Sequence, residues 1–112
     1  MAIRQRLKIK PLSVNEAWQG RRFKTDKYKA FEKLMTLRLK PQKVNGDQLS
    51  VSILFGFSSK LSDLDNPVKL TLDILCKKFG FDDRQIFLLI VEKEIVKKGG
   101  EFIDFRIEYY LD

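Results

Sequence analysis

Between residues 63 and 83 the chain gathers acidic side chains around one short predicted helix. Asp63-Leu64-Asp65-Asn66 precedes the helix, Lys69 and Asp73 lie within it, and Asp82-Asp83 follow it. Asp63 and Asp65 alternate with Leu64, so an extended segment projects both carboxylates to one side and Leu64 to the core. Lys69 and Asp73 stand one helical turn apart, on the face opposite a Val68, Leu72, Leu75, Phe79 stripe. If the strand that opens after Asp82-Asp83 runs beside the Asp63 loop, three or four carboxylates converge. Like charges repel strongly once partly buried, and a divalent cation is their natural neutraliser. Magnesium needs only one or two carboxylates plus water and substrate phosphate. It would activate water and stabilise charge on a scissile phosphate, and Lys69 could stabilise the same charge or protonate the leaving oxygen.

Each residue also has a plain structural use. Asp65 or Asn66 suits a helix cap, Asp82-Asp83 after Gly80 suits a turn, and an exposed Lys69–Asp73 pair contributes only a few tenths of a kcal/mol. Read from the residues alone, three functions stay open. These are metal-dependent phosphodiester chemistry, a basic nucleic-acid-binding module whose acidic cluster is structural, and a small protein–protein adaptor.

The elements that must position these residues are legible from spacing. Residues 2–10 alternate Ile3, Leu7 and Ile9 with Arg4, Arg6, Lys8 and Lys10, predicting a strand with a basic face that Gln5 interrupts on its apolar side. Pro11 to Thr25 reads as a polar loop. Tyr28, Phe31, Leu34, Met35 and Leu39 predict a helix from Asp26 to about Leu39, ended by Pro41, Asn45 and Gly46. Leu49, Val51, Ile53, Phe55 and Phe57 form the clearest strand. After a loop from Ser58 to Asp65, Asn66-Pro67 predicts a helix start and Gly80 its stop. The apolar run Ile86 to Val96, broken by Glu92-Lys93-Glu94, predicts a central strand. Lys97-Lys98-Gly99-Gly100 predicts a hairpin turn, and Ile103, Phe105, Ile107 and Tyr109 predict a closing strand. The order β-α-β-α-β-β argues for an α+β domain over residues 1–112, a small mixed sheet with two helices packed on it.

Composition narrows the chemistry. The 112 residues include no histidine and one cysteine, Cys76, so Ser–His and Cys–His mechanisms are excluded and a zinc site is not expected. No apolar run is long enough to span a membrane and the first residues lack an apolar signal core, so the expectation is a cytoplasmic protein with no membrane partner. The formal net charge is +7, unevenly spread: residues 1–46 hold thirteen Lys or Arg against three acidic residues, and 47–112 hold nine against twelve. A basic half joined to an acidic half suits a polyanion bound at one place and handled at another, and nucleic acid is the obvious polyanion. Trp18, Phe23 and Tyr28 sit among the basic residues. Packing onto the sheet is their simpler use, with stacking on unpaired bases the alternative.

The segment Asp63-Leu64-Asp65-Asn66-x-x-Lys69-x-x-x-Asp73-x-Leu75, with Gly80-x-Asp82-Asp83-x-Gln85-Ile86 after it, resembles the signature of the RusA family of Holliday-junction resolvases. Pro11-x-Ser13-x-Asn15 with Arg21-Arg22 resembles that family's N-terminal loop, and Lys98-Gly99-Gly100 its last hairpin. The resemblance implies a homodimeric, magnesium-dependent endonuclease (manganese as a substitute) that makes paired nicks in four-way DNA junctions, with no organic cofactor. It implies that Asp63, Asp65 and Asp83 hold the metal, that Lys69 is catalytic with them, and that Asn66, Asp73 and Asp82 support the site. Family members often carry a basic run before the motif. Here Ser58-Ser59-Lys60-Leu61-Ser62 leaves Lys60 alone there, and Arg21, Arg22, Lys24, Lys27 and Lys29 are expected to take more of the phosphate load.

Overall fold

The structure, a computed structural model, describes residues 2–19 and 23–110. Its frame follows from two alternating segments. In β4 (Leu49–Phe57) and β6 (Phe102–Tyr109), Leu49, Val51, Ile53, Phe55, Ile103, Phe105 and Ile107 are buried on one face. β6 pairs antiparallel with β4 on one side and with β1 (Ala2–Leu7) on the other, while β5 (Ile86–Ile95) pairs parallel with the far side of β4. The sheet order is therefore β1-β6-β4-β5.

Helices cover the apolar face. α2 (Asp26–Arg38) contributes Tyr28, Phe31 and Met35, and α3 (Val68–Phe79) contributes Leu70, Ile74, Leu75 and Phe79, to one core with the strands. Thr25 caps α2 by accepting from Tyr28 N at 3.1 Å. Gln5, the polar interruption of β1, is bonded both ways to the Lys40 backbone, at 3.0 and 3.2 Å, and pins the chain leaving α2. The expected α3 stripe is too narrow, since Leu70, Thr71 and Ile74 are buried as well. A crossover helix that meets both the sheet and α2 hides more than one stripe.

Four expectations need correction. The Pro11 to Thr25 loop contains a one-turn helix α1 (Val14–Ala17) and the short strands β2 (Trp18–Gln19) and β3 (Phe23–Lys24), paired with each other. The Ile86 to Val96 run is a sheet edge rather than its centre. Residues 97–100 are not a hairpin between neighbouring strands, because β6 lies on the other side of β4 from β5; the turn carries the chain past the end of β4. Asn66 does not cap α3: the helix begins after Pro67 with no side-chain cap, and Val68 N donates to Asp65 O at 3.2 Å. Gly80 does end the helix, at φ 72°, its N–H donating to Cys76 O.

Away from β5 the other face of the sheet is mainly polar, with one local seal. Phe102 lies across Gly56, where an added Cβ would come within 2.4 Å of the ring. The Arg6 guanidinium sits 4.1 Å above that ring and pairs with Asp104 at 2.8 Å. Among the described residues, no helix is long and apolar enough to cross a membrane.

One core group is left unsatisfied. Thr71 is fully buried and its Oγ1 has no hydrogen-bond partner among the described residues. A buried hydroxyl without a partner costs stability, so Thr71→Val, which keeps the shape, should stabilise the fold by about 1 kcal/mol and raise its melting temperature by about 4 °C. Calorimetry checks this, and a lower melting temperature would mean that the hydroxyl is paired in solution.

Candidate catalytic site

The Asp63–Asn66 turn follows the Phe57 end of β4 and leads into α3, whereas the 3₁₀ turn Asp83–Gln85 follows α3 and leads into Ile86, which pairs beside Leu49 at the other end of β4. Leu64 packs against the core while Asp63 before it and Asp65 after it are exposed, in a segment that bends and turns rather than running as a strand. Asn66, freed from capping, donates from Nδ2 to Asp63 Oδ2 at 3.4 Å.

Lys69 is the junction of the site. Its Nζ lies 3.2 Å from Asp73 Oδ1 on the same helix and 3.4 Å from Asp83 Oδ2 across the turn. The hydrogen bond and charge of Asp73, and then those of Asp83, hold its ammonium above the usual lysine pKa, so it is fully charged at neutral pH. Nearby, burial pushes the Cys76 thiol up to about 11, with the charges of Asp83, Asp73 and Asp82 adding to it. Cys76 is thus an inert, half-buried residue that senses a negative field from three carboxylates.

Asp82 and Asp83 are adjacent but differently employed. Asp82 Oδ1 accepts from Arg84 N at 3.0 Å, and Gln85 Oε1 accepts from Asp82 N at 2.8 Å, a reciprocal cap. The Arg84 backbone N–H, then a hydrogen bond with the Asp83 side chain and the Arg84 guanidinium, hold the Asp82 carboxyl at about 2. Gln85 Nε2 also donates to Gly46 O at 2.7 Å, tying the turn to the start of β4. Asp83 is left facing Lys69.

The carboxylates are shared between two clefts. Asp63 and Asn66 line one of about 410 Å³, with Ser13, Asn15, Ser58 and Ser62. Asp73, Asp82 and Asp83 line another of about 340 Å³, with Trp18 and Lys24. For this reason the expected convergence of three carboxylates is not present: among the described residues, no group of three acidic side chains encloses a metal position. The donors are all hard oxygens, which fits magnesium or manganese, and magnesium bound through one or two carboxylates and a substrate phosphate needs no closed cage.

The expected DNA contacts are placed unevenly. Lys24 pairs with Glu32 at 3.1 Å and lies over the Tyr28 ring, and Lys27 pairs with Glu16 at 3.6 Å. Lys60 is exposed beside the Asp63 turn, with no ion pair among the described residues. Arg21 and Arg22 lie outside the described residues. Tyr28 is core, whereas Trp18 is part exposed and meets the Tyr28 ring edge-on at 5.5 Å. Sequence reasoning missed Lys93, whose Nζ donates to Ser62 O at 3.0 Å and anchors the Asp63 loop to β5. Its only signal is the Glu92-Lys93-Glu94 break in an apolar run.

Comparison with known proteins matches a family model described as endodeoxyribonuclease RusA to residues 8–106. No curated protein matches the chain.

Proposed function

The chain belongs to the RusA endodeoxyribonuclease family, and on that premise we propose that it resolves four-way DNA junctions by paired symmetric nicks, as a homodimer and with a divalent metal. The observation that carries the reading is Lys69 between Asp73 and Asp83, because the turn after α3 brings Asp83 back to a lysine in the helix's first turn. One or two of Asp63, Asp65 and Asp83, with a substrate phosphate, would hold magnesium, or manganese in its place. When bound, the metal supplies Lewis-acid stabilisation of phosphate charge and an activated water. Lys69, held charged by its two carboxylates, donates to a phosphate oxygen or to the leaving oxygen. Asp73 positions that ammonium, Asn66 orients Asp63, and Asp82 holds the turn that presents Asp83.

The test is nicking of a labelled four-way junction beside a matched linear duplex, with magnesium, manganese or EDTA, and with Asp65→Asn alongside. Metal-dependent nicks on the junction, lost in the variant, are expected. Tight junction binding without nicks under either metal would replace this reading with a non-catalytic junction binder.

Phosphate binding has its own expected result. Lys60 stands free beside the site, so Lys60→Ala should weaken junction binding at low salt and reduce the slope of log affinity against log salt by about 1. A slope equal to wild type in a salt titration would remove Lys60 from the interface.

A further inference from the structure

We infer that Lys93 is a positioning residue for Asp63: its ammonium fixes the backbone from which that carboxylate projects, and so sets how tightly the site holds a divalent cation. This role rests on the metal-dependent reading above and brings β5 into the reaction. Lys93 stands opposite Phe55 in the parallel pairing of β4 and β5. Its side chain therefore leaves the helix-covered face of the sheet, two residues after Val91, which packs against the core. From there Nζ donates to Ser62 O at 3.0 Å. Ser62 is the residue before Asp63.

The segment depends on such a tie. β4 ends at Phe57, whose carbonyl still accepts from Val96 N at 2.7 Å, and α3 begins at Val68. Among the described residues, the other hydrogen bonds of residues 59–66 are local. Ser62 N donates to Ser59 O, Leu61 N to Ser59 Oγ, Asn66 Nδ2 to Asp63 Oδ2 and Val68 N to Asp65 O. The bond from Lys93 is the exception and comes from 31 residues away. Asp63 is thereby held from both sides, with Leu64 after it set against the core and Ser62 before it tied to β5. Asp65 has its own anchor in the first turn of α3, and Asp83 sits in the 3₁₀ turn facing Lys69. Loss of the Lys93 bond therefore loosens Asp63 selectively.

A lysine in an edge strand has two simpler uses. It keeps other strands off the free edge, and its charge attracts phosphate. The sign of the metal response separates these from positioning. A cation near a carboxylate opposes the binding of a second cation, so removing its charge alone tightens metal binding. Removing an anchor weakens it, because a carboxylate that must first be ordered gives back part of the binding free energy.

Titration of the full chain with Mn²⁺, followed by loss of the free ion's electron paramagnetic resonance signal, tests this without any nicking. Lys93→Met keeps the stem and removes the donor, and should weaken Mn²⁺ binding about tenfold, with Lys93→Arg returning it to within about threefold of wild type. Lys93→Gln, shorter and still polar, carries the test should the methionine variant associate through its edge. In single-turnover nicking, Lys93→Met should raise the half-saturating Mn²⁺ concentration about tenfold and leave the rate at saturation within about twofold. Unchanged or tighter Mn²⁺ binding in Lys93→Met would overturn the inference, as would a lower rate at saturation with no shift along the Mn²⁺ axis. A salt slope of junction binding reduced by about 1 with Mn²⁺ affinity intact would make Lys93 a phosphate contact instead. Asp63→Asn keeps the two readings apart. If it weakens Mn²⁺ binding and Lys93→Met does not, only the role of Lys93 falls. If neither does, or if wild type itself holds no Mn²⁺, the role of Lys93 falls with that of Asp63 as a ligand, and the nicking assay alone decides the nuclease reading.

Discussion

Asp83→Asn is expected to slow junction nicking on the order of 10³-fold while leaving junction affinity unchanged or higher. The change is nearly isosteric, and an asparagine oxygen can still accept from Lys69, which lies 3.4 Å from the present carboxylate. What is lost is the negative charge that would hold a metal ion, and a metal's stabilisation of phosphate charge is several kcal/mol, of which about 4 equals a 10³ rate factor. Affinity is spared because one fewer carboxylate repels the DNA backbone. The neighbouring Asp82→Asn is the control. Asp82 is committed to a backbone cap, its carboxyl held at about 2 by the Arg84 N–H, so its loss should reduce nicking less than about tenfold. Single-turnover rates on a labelled junction decide. Equal losses at both positions would mean that the turn, and not the Asp83 charge, is what the reaction needs.

The division of labour between Asp82 and Asp83 is legible only through the resemblance and not from the residue types, because adjacent aspartates after a glycine look alike. Only the fold shows which one closes the 3₁₀ turn. Other parts were legible for definite physical reasons. β4 and β6 alternate because one face of the sheet is covered and the other wet, and period two is the direct consequence. The Lys69–Asp73 pair follows from helical spacing. α1, β2 and β3 are too short for any period to show. Asn66 was misassigned because asparagine before Pro67 fits a cap, yet its amide found the nearer carboxylate of Asp63. The β5 error is the most instructive. A continuous apolar strand signals burial on both faces, but periodicity cannot say what does the burying. Here one edge of the strand meets β4 and, among the described residues, the other pairs with no strand.

That difference sets up the largest expected loss of stability. Phe105 lies on β6 with both neighbours paired, is 1% exposed, and meets the Phe79 ring of α3 at 5.7 Å. Phe105→Ala removes an aromatic ring where sheet and helix join, and the surroundings cannot collapse into the gap without parting one from the other. The expected cost is about 4 kcal/mol, against a total of about 5–15 kcal/mol for a domain of this size, and a fall in melting temperature of about 15 °C. Ile90→Ala in β5 makes the contrast. Ile90 already keeps 44% of its surface in solvent, so in the monomer its truncation should cost about 1 kcal/mol or less. Urea denaturation at submicromolar protein measures both. Were β5 the central strand its sequence suggests, the two costs would be alike; a gap of about 3 kcal/mol locates the core under β6 and β4, and leaves the β5 side chains stability to contribute only when something covers them.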